Sequence, residues 1–575
     1  MQHRTRAIWI LACLACGFTV ISLNLIQIQL VSHDRYWKMA VKNHLHPEKI
    51  APERGSIFDN DGNLLAETRV KTDLFLDGKL LDHPAEQLAQ LAGILQIPEQ
   101  QLTSEFDPRN RHWNVADNLT EDVTAKLHDL KWNSLIFTPH DQRYYPNNDL
   151  AAHVLGFVDG DGHGLSGIEK EMDKALSGVP GERWVERDGL KHEIAGYQSP
   201  ETPAVDGYDV TLTVRMAIQH VVEDELDQIV QTYTPNAAYI IVMDPHTGEI
   251  MAMGSRPTYD PNDSSTFKQD AVRNRCITDM VEPGSIFKII TLAGALNENL
   301  VNLNTPINCE NGTFTYYGRT LKDDEKNGTL PVLEVMAQSS NIGFAKLGLQ
   351  LGEEKLYKYA TAFGIGQRTN LLEQQGESAG LLRPISKWSA LSITRIPMGQ
   401  EVAATPIQMV SAMSVIANGG RLVVPRLVQK VTDQNGHVMQ VYQPHIVRQV
   451  ISPDVAHQVA RALQQVTIDG TAKAIHIRDS TGAGYSFAGK TGTAQKFVDG
   501  AYSHTKFVSS FIGFMPAEDP AFVALVMVDE PHTTKYYGAE VSAPVFASIA
   551  QQMAQLLNLP ADIPATTPVL TSNTP

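Results

Sequence analysis

The first 30 residues differ from the rest of the chain in their pattern of apolar positions. Residues 7–30 are predominantly apolar, and a helix needs about 20 such residues to cross a membrane. Arg4 and Arg6 precede this run, and positive charge of this kind stays on the cytoplasmic side. The pattern predicts a single transmembrane anchor, with residues 1–6 in the cytoplasm and the bulk of the chain exported. A cleaved signal peptide is the alternative, but no Ala-x-Ala site closes the run.

Residues 31–208 alternate between short strand-like runs, polar helical segments and turns. Asp61 and Gly62 lie between two apolar runs, which is a strong signal for a β-hairpin. Apolar residues recur at helical spacing in residues 85–95 and 119–130. We interpret this region as an extended mixed α/β pedestal for the domain that follows.

From residue 209 the pattern becomes that of a larger α+β domain, which we expect to extend to residue 557. Helical segments occupy its middle, as a long stretch from residue 285 to about residue 415, and strand-like segments occur at both ends. The strand-like segments cover residues 209–214, 238–243, 249–253, 487–495, 507–515 and 521–529, and the second and third form a hairpin around residues 244–248. This arrangement predicts one antiparallel sheet that both halves of the domain build and that helices cover on both faces. Residues 558–575 are rich in Pro, Thr and Ser, and we expect a disordered tail.

Charge and cysteine content exclude several classes of protein. The formal net charge of −17 argues against a nucleic-acid partner, because an acidic surface repels phosphate. There are four cysteines, and Cys13 and Cys16 lie inside the apolar run, so neither a disulfide framework nor a cysteine metal site is supported. A bridge between Cys276 and Cys309 stays open as an alternative. We expect no metal ion and no cofactor.

The segment that starts at Ser285 is apolar almost all round, which predicts a helix buried on every side. Lys288 follows one turn later, and residues three apart share a helix face. Burial disfavours an ammonium ion, so a buried lysine with a lowered pKa can accept a serine proton at neutral pH. The Ser-x-x-Lys pattern is common and also occurs at Ser265 and Ser503, in polar surroundings. The buried helix is what makes Ser285 the candidate nucleophile and Lys288 its candidate base.

Two further polar stretches complete the candidate site. The first contains Ser339 and Asn341, directly after a helical run. The second is a strand segment with the residues Lys490, Thr491, Gly492 and Thr493. Glycine weakens a strand unless something must approach its backbone closely, so we expect this strand to pair with a peptide-like ligand. Each stretch is a weak signal by itself, but the three together, in this order, are a strong one.

With these motifs the chain resembles the class B penicillin-binding proteins, which are membrane-anchored D,D-transpeptidases of cell-wall synthesis. The resemblance covers nearly the whole chain. Besides the anchor and the three motifs, it includes residues 54–59, 164–169 and 399–408. One departure is Asn60, which follows Asp59 where the family usually has arginine.

The resemblance implies an acyl-transfer reaction at Ser285. The serine would attack the carbonyl of the penultimate D-Ala of a stem peptide, expel the terminal D-Ala and pass the acyl group to an amine on a neighbouring strand. The implied roles are proton acceptor for Lys288, proton relay for Ser339, amide contact with the donor peptide for Asn341, positive charge toward the substrate carboxylate for Lys490, and substrate binding for Thr491, Gly492 and Thr493. The backbone N–H groups of Ser285 and Thr493 would form the oxyanion hole.

The same resemblance implies partners and a location. The partners are D-Ala-D-Ala stem peptides, β-lactam inhibitors, a membrane glycan polymerase and other divisome proteins. Asn24, Gln27 and Gln29 are polar for a lipid-facing surface and are the candidate contact with that polymerase. The location is the cytoplasmic (inner) membrane, crossed once, with the bulk of the chain on the periplasmic side.

Several related activities stay open on the sequence alone. The length of the chain and its modest pedestal favour septal (division) wall synthesis over an elongation-type transpeptidase. A D,D-carboxypeptidase, a β-lactamase and a β-lactam-binding sensor could use the same serine. The anchor and pedestal argue against a free β-lactamase, and the intact motifs argue against a sensor without catalytic activity.

Overall fold

The computed structural model describes residues 2–36, 38, 45–186, 201–372, 376–498 and 500–565. The chain begins with an α-helix, Gln2–Ile26, that continues as a π-helix, Gln27–Val31. The span His3–Val31 has 29 residues, and its most apolar 18-residue window has a mean hydropathy of 2.1 with no part of that window buried. Its length and composition therefore fit the predicted single-pass membrane anchor.

The chain divides into two compact units. The first contains Met1–Arg54 and Ser177–Gly207, and the second contains Gly55–Leu176 and Tyr208–Pro575. The region predicted as a pedestal, residues 31–208, therefore contributes to both units.

A small antiparallel sheet joins the two segments of the first unit. Strand Leu45–Ile50 pairs with Gly181–Glu186, and the latter also pairs with Glu201–Thr202. Arg54 is the last residue of the first segment, and its guanidinium donates a hydrogen bond at 2.8 Å to the hydroxyl of Ser177, the first residue of the second segment.

A seven-stranded sheet joins distant parts of the second unit. Its strands are, in order, Val438–Val441, Val428–Thr432, Asp209–Leu212, Ile57–Phe58, Leu64–Leu76 and Trp113–Leu119, with Leu135–Tyr144 also paired to Leu64–Leu76. The predicted hairpin is confirmed, because Ile57 lies opposite Ala66 and the Asp59 carboxylate accepts the backbone N–H groups of the turn. Ile57 also pairs in parallel with Val210, so this sheet contains strands from both sides of residue 208.

A separate apolar core lies under the outer strands of this sheet. Leu74 from the sheet packs there with helices Pro84–Leu95 and Glu121–Asp129. The second helix was predicted from residue 119, but Leu119 ends a strand and Thr120 caps the helix by accepting the Val123 N–H. Further helices that the structure describes before residue 177 include Glu99–Glu105, Ala152–Leu155, Gly167–Glu171 and Asp173–Leu176.

The central sheet of the second unit has five antiparallel strands. In order they are Ile250–Arg256, Ala237–Met243, Phe522–Asp529, Ala501–Met515 and Ala488–Val498. Met243 lies opposite Val523, so the two halves of the predicted domain meet in the middle of the sheet. Because all of these strands were predicted, the pattern of apolar positions located the sheet correctly.

Helices cover both faces of the central sheet, as predicted. Met216–Tyr233 and Gly538–Leu556 pack on one face, and Pro406–Ala417 and Pro453–Ile468 pack on the other. After residue 256 the structure also describes the helices Gln269–Val272, Arg275–Thr278, the 3₁₀ turn Gly284–Phe287, Lys288–Asn297, Val332–Ala337, Asn341–Leu351, Glu353–Ala362 and Ser392–Arg395.

The long helical stretch expected from residue 285 to about residue 415 is interrupted. Two short antiparallel strand pairs interrupt it. Pro306–Asn308 pairs with Thr329–Pro331, and between them Thr313–Tyr316 and Arg319–Lys322 form a hairpin. The Thr313–Lys322 hairpin has mostly exposed side chains, and its two strands have only four residues each. Phe314 and Tyr316 alternate with threonines, but so short an alternation was not recognised as a strand.

The first part of the predicted disordered tail is held against the second unit. The backbone N–H and C=O of Ile563 both pair with Gly484, and the Asp562 carboxylate accepts the Ser486 N–H at 2.6 Å. These contacts correct the prediction for residues 558–565, because backbone pairing gave this polar segment the partners that its composition did not indicate. Residues 566–575 lie outside the described part of the chain.

Candidate active site

Ser285 lies in the 3₁₀ turn Gly284–Phe287 that opens the buried helix Lys288–Asn297. Gly284 has a φ of +56°, and Gly399 packs directly behind it with a φ of +80°. A Cβ atom on Gly399 would lie 2.2 Å from the Gly284 carbonyl oxygen, so only glycine fits there. The turn that presents Ser285 is thus fixed from behind by the 399–408 stretch.

Lys288 is fully buried, as predicted, and its amine contacts the second polar stretch. It donates to the Ser339 carbonyl oxygen at 2.7 Å, to the Asn341 Oδ1 at 2.9 Å and to the Ser339 Oγ at 3.1 Å. The Ser339 hydroxyl in turn contacts the Ser285 Oγ at 3.3 Å. A chain of hydrogen bonds through Ser339 therefore connects the serine and the lysine.

Burial lowers the pKa of Lys288 to about 7, from 10.5 in water. The negative charges of Asp323 and Asp324 act in the opposite direction, toward a higher pKa. A large fraction of the Lys288 amines is therefore neutral at neutral pH, which a proton acceptor requires.

The turn that carries Ser339 and Asn341 lies between helices Val332–Ala337 and Asn341–Leu351. Ser339 has a φ of +55°, in the left-handed region that residues with a side chain rarely occupy. Such backbone outliers are concentrated at functional sites, and here the outlier directs both the carbonyl and the hydroxyl of Ser339 to Lys288.

Lys490 is the second fully buried lysine, on the edge strand Ala488–Val498. Its amine donates to the Thr491 carbonyl oxygen at 3.0 Å. Burial lowers the pKa of Lys490 well below its usual range, and the positive charge of Lys288 lowers it further. The Thr493 hydroxyl accepts the Gly538 N–H at 3.0 Å.

Gly492 is required in this strand for a different reason from the one that the sequence indicated. A Cβ atom on Gly492 would lie 2.3 Å from the Ser510 hydroxyl and 3.1 Å from a methyl group of Ile286. Gly492 therefore makes room for the neighbouring strand and for the Ser285 turn. The strand is nevertheless at the edge of the central sheet, as a peptide-pairing strand must be.

One open cleft of about 770 Å³ brings the predicted residues together. Its lining includes Ser285, Ser339, Asn341, Thr491 and Thr493, while Lys288 and Lys490 lie beneath the surface. In the described part of the chain, no cluster of three or more His, Cys, Asp or Glu residues could hold a metal ion, and Cys276 and Cys309 are free thiols.

The cleft also contains residues that the sequence did not indicate. The Thr471 hydroxyl lies 2.7 Å from the Thr491 hydroxyl and extends the row of hydroxyl groups along the strand. Phe507, Tyr536 and Tyr537 form an aromatic wall, with ring centroids 4.2 Å and 4.5 Å apart. A loop threonine has no signal in the sequence, but the adjacent tyrosines followed by Gly538 could have been noticed as exposed aromatic residues after a strand.

Comparison with known proteins identifies the family. The penicillin-binding protein transpeptidase domain matches residues 238–551, and the penicillin-binding protein dimerisation domain matches residues 49–212. The chain belongs to the class B penicillin-binding proteins. The predicted family and its division-type branch, the fold class and the serine D,D-transpeptidase class are confirmed.

Relatives and solved structures match this penicillin-binding protein over most of its length. Stage V sporulation protein D of Bacillus subtilis is 33% identical, over 95% of this chain and 85% of its own. Peptidoglycan D,D-transpeptidase FtsI of Escherichia coli is 30% identical, over 98% of this chain and 94% of its own. Penicillin-binding protein 3 of Mycobacterium tuberculosis, in complex with aztreonam, superimposes with a TM-score of 0.69 at 27% identity, over 90% of this chain and 99% of its own.

Proposed function

We propose that this penicillin-binding protein cross-links stem peptides of peptidoglycan in septal wall synthesis, through an acyl-enzyme on Ser285. The observation that carries the proposal is the hydrogen-bonded series from Ser285 through Ser339 to a buried Lys288 whose pKa lies near 7. A nucleophile and a relay thus line one open cleft, and a base lies directly beneath them.

In the acylation step, the Ser285 Oγ attacks the carbonyl carbon of the penultimate D-Ala. Its proton moves through the Ser339 hydroxyl to the Lys288 amine, which is neutral in the reactive state. The backbone N–H groups of Ser285 and Thr493 stabilise the oxyanion, where losing one donor costs about 3 kcal/mol. When the C–N bond breaks, the proton returns through Ser339 to the leaving D-Ala amine.

The acyl-enzyme then transfers its peptide to an acceptor amine. The amine attacks the ester carbonyl and gives a proton to Lys288, and the C–O bond to Ser285 breaks as the serine regains its proton. Lys490 supplies positive charge beneath the strand when it is protonated, and the Thr491 and Thr493 hydroxyls face the cleft where the donor carboxylate would bind. Asn341, the proposed amide contact with the donor peptide, also lines the cleft, and its Nδ2 donates to the Lys322 carbonyl oxygen at 3.3 Å. Gly492 keeps the strand close to the Ser285 turn.

The location and the partners follow from the anchor and from the relatives. We propose that residues 1–6 are cytoplasmic, that residues 31–208 form the pedestal and residues 209–557 the transpeptidase domain, and that both lie on the periplasmic side of the inner membrane. Asn24, Gln27 and Gln29 are the proposed contact with a membrane glycan polymerase of the divisome, because polar side chains in lipid favour a helix partner. The last two of these lie in the π-helical end of the anchor.

Covalent labelling tests the proposal. After the full chain in detergent is treated with benzylpenicillin, mass spectrometry should find one adduct, on the peptide that contains Ser285. A β-lactam is a strained amide, so it acylates the serine by the same route. After the ring opens, the leaving amine stays attached to the acyl group and obstructs the approach of an acceptor, so the adduct persists. Ser285→Ala should abolish the adduct and Lys288→Ala should slow its formation by about 100-fold or more.

Ser265→Ala is the matched control, because this serine has the same Ser-x-x-Lys pattern in an exposed 3₁₀ turn. It should label like the wild type. A label on Ser265 or Ser503 would contradict the proposal, and rapid turnover of penicillin would favour a hydrolase instead.

A further inference from the structure

Asp323 lies directly after the strand Arg319–Lys322, at the base of the exposed hairpin. Its carboxylate accepts two hydrogen bonds from the turn that contains Ser339. One oxygen accepts the Ser340 hydroxyl at 2.5 Å, and the other accepts the Ile342 N–H at 3.0 Å. A single carboxylate thus holds the residues on both sides of Asn341.

The turn needs such support, because its backbone conformation is unfavourable. Ser339 has a φ of +55° and nevertheless supplies two of the three hydrogen bonds to the Lys288 amine. The third comes from Asn341. A small displacement of this turn would therefore loosen every one of these contacts with the base.

The hairpin itself is attached to the helix that follows the turn. Lys346, on the helix Asn341–Leu351, donates to the Glu310 carboxylate and to the Asn308 carbonyl oxygen, both at 2.6 Å. Its amine also lies 5.3 Å from the centre of the Phe314 ring. Two attachments, at Asp323 and at Lys346, therefore join the hairpin region to this helix.

We propose that Asp323 is a positioning residue for acylation, which holds Ser339 and Asn341 against Lys288 and places a negative charge beside that lysine. It acts through Ser340 and Ile342 and does not touch the reacting atoms. This inference rests on the proposed function and adds to it a residue from outside the three motifs.

The charges that face Lys288 determine the sign of the expected pH effect. Asp323 and Asp324 face it with negative charge, the Lys490 amine faces it with a pKa that burial lowers well below its usual range, and the Phe344 ring centre lies 5.3 Å from the Lys288 amine. Because an adjacent negative charge favours the ammonium form, removing one aspartate charge lowers the pKa of Lys288 further. The amine then becomes neutral at a lower pH. The acid limb of the pH–rate profile, in which the acylation rate rises as Lys288 loses its proton, therefore moves to lower pH.

The experiment is the pH dependence of acylation by a fluorescent penicillin, with the full chain in detergent. Asp323→Asn keeps the size of the side chain, removes its charge and cannot accept both hydrogen bonds. We expect its plateau rate to fall roughly 10- to 100-fold, which is typical of a misplaced catalytic group, and its acid limb to move to lower pH. Asp324→Asn is the charge-matched neighbour, and it should move the acid limb with a much smaller loss of plateau rate.

Asp323→Glu separates position from charge, because it keeps the charge and moves it by one methylene group. It should restore the wild-type acid limb and leave the plateau rate reduced. An Asp323→Asn variant with a wild-type plateau and limb would overturn the proposal. A lower plateau with an unmoved limb and a lower melting temperature would also overturn it, since that combination is a structural effect alone. Failure of the proposed function is distinguishable, because the wild type would then form no adduct at Ser285.

Discussion

Arg143 and Lys288 are both buried cations of the second unit, and they have opposite surroundings. The Arg143 guanidinium donates to the buried Glu169 carboxylate at 2.7 Å and to the Gly55 carbonyl oxygen at 2.9 Å. Lys288 has neutral hydrogen-bond partners, and within the described residues it forms no ion pair with a carboxylate.

The presence or absence of a carboxylate partner determines whether a buried cation keeps its charge. A buried charge that is paired stays charged, because the partner compensates for the lost solvation. A buried lysine without such a pair becomes neutral more easily, and it gains the ability to accept a proton. Burying Lys288 without an ion pair thus lowers stability, whereas the carboxylate beside Arg143 offsets much of the cost of burying that charge.

The largest effect is expected at the paired site. Glu169→Ala would leave the Arg143 guanidinium buried without its carboxylate, which typically costs about 3–5 kcal/mol of stability. Thermal unfolding of the purified protein should show a large fall in melting temperature. A loss of less than about 1 kcal/mol would mean that solvent or another group compensates for the charge.

Lys288→Met should have the opposite sign. The pKa of Lys288 is about 7 in the folded chain and near 10.5 when unfolded, so the penalty for burying it is fully present below pH 7 and disappears as the pH rises toward 10.5. At pH 7 we expect the variant to be more stable by about 1–3 kcal/mol, below the ceiling of roughly 5 kcal/mol that the pKa displacement sets.

The measurement for Lys288→Met is the melting temperature at pH 7 and at pH 9. Wild-type stability should rise with pH relative to the variant, so that the gap between them narrows at pH 9. The variant should also lose acylation. A variant that is less stable than the wild type at pH 7 would refute the idea that the site reduces stability.

The smallest effect on stability is expected for an ion pair on the protein surface. Lys126 and Asp122 lie one helical turn apart at 2.5 Å, with side chains that are 59% and 75% exposed. Asp122→Ala should change stability by less than about 0.5 kcal/mol, because solvent screens such pairs. This variant is the control for Glu169→Ala, and a loss comparable to that of Glu169→Ala would show that burial is not what matters.

The sequence predicted the elements that local patterns determine. The apolar coat around Lys288 indicated its burial, and burial is the main cause of its lowered pKa. The strands of the central sheet were visible as short apolar runs between turns. For these features, the residue and its immediate neighbours in the chain contain the necessary information.

The parts that the sequence did not predict depend on contacts between distant segments. Thr471 reaches the cleft only because its loop lies beside the strand of Thr491, and Asp323 lies in a stretch that was expected to be helical. The seven-stranded sheet pairs Ile57 with Val210, across more than 150 positions of the chain. Periodicity contains no information on such pairings, which are set by packing.

The pairing of Met243 with Val523 also has a consequence for the time course of synthesis. Strand Ala237–Met243 has to wait for Phe522–Asp529, and the Ser285 turn has to wait for the strand of Lys490, before a cleft exists. At a synthesis rate of roughly 5–20 residues per second, the strand of Lys490 is made roughly 10–40 s after the Ser285 turn. A nascent chain in which Ser285 has already been synthesised is therefore still inert, and a product truncated before the last strands contains the serine but no complete cleft. Activity begins only when the chain is nearly complete.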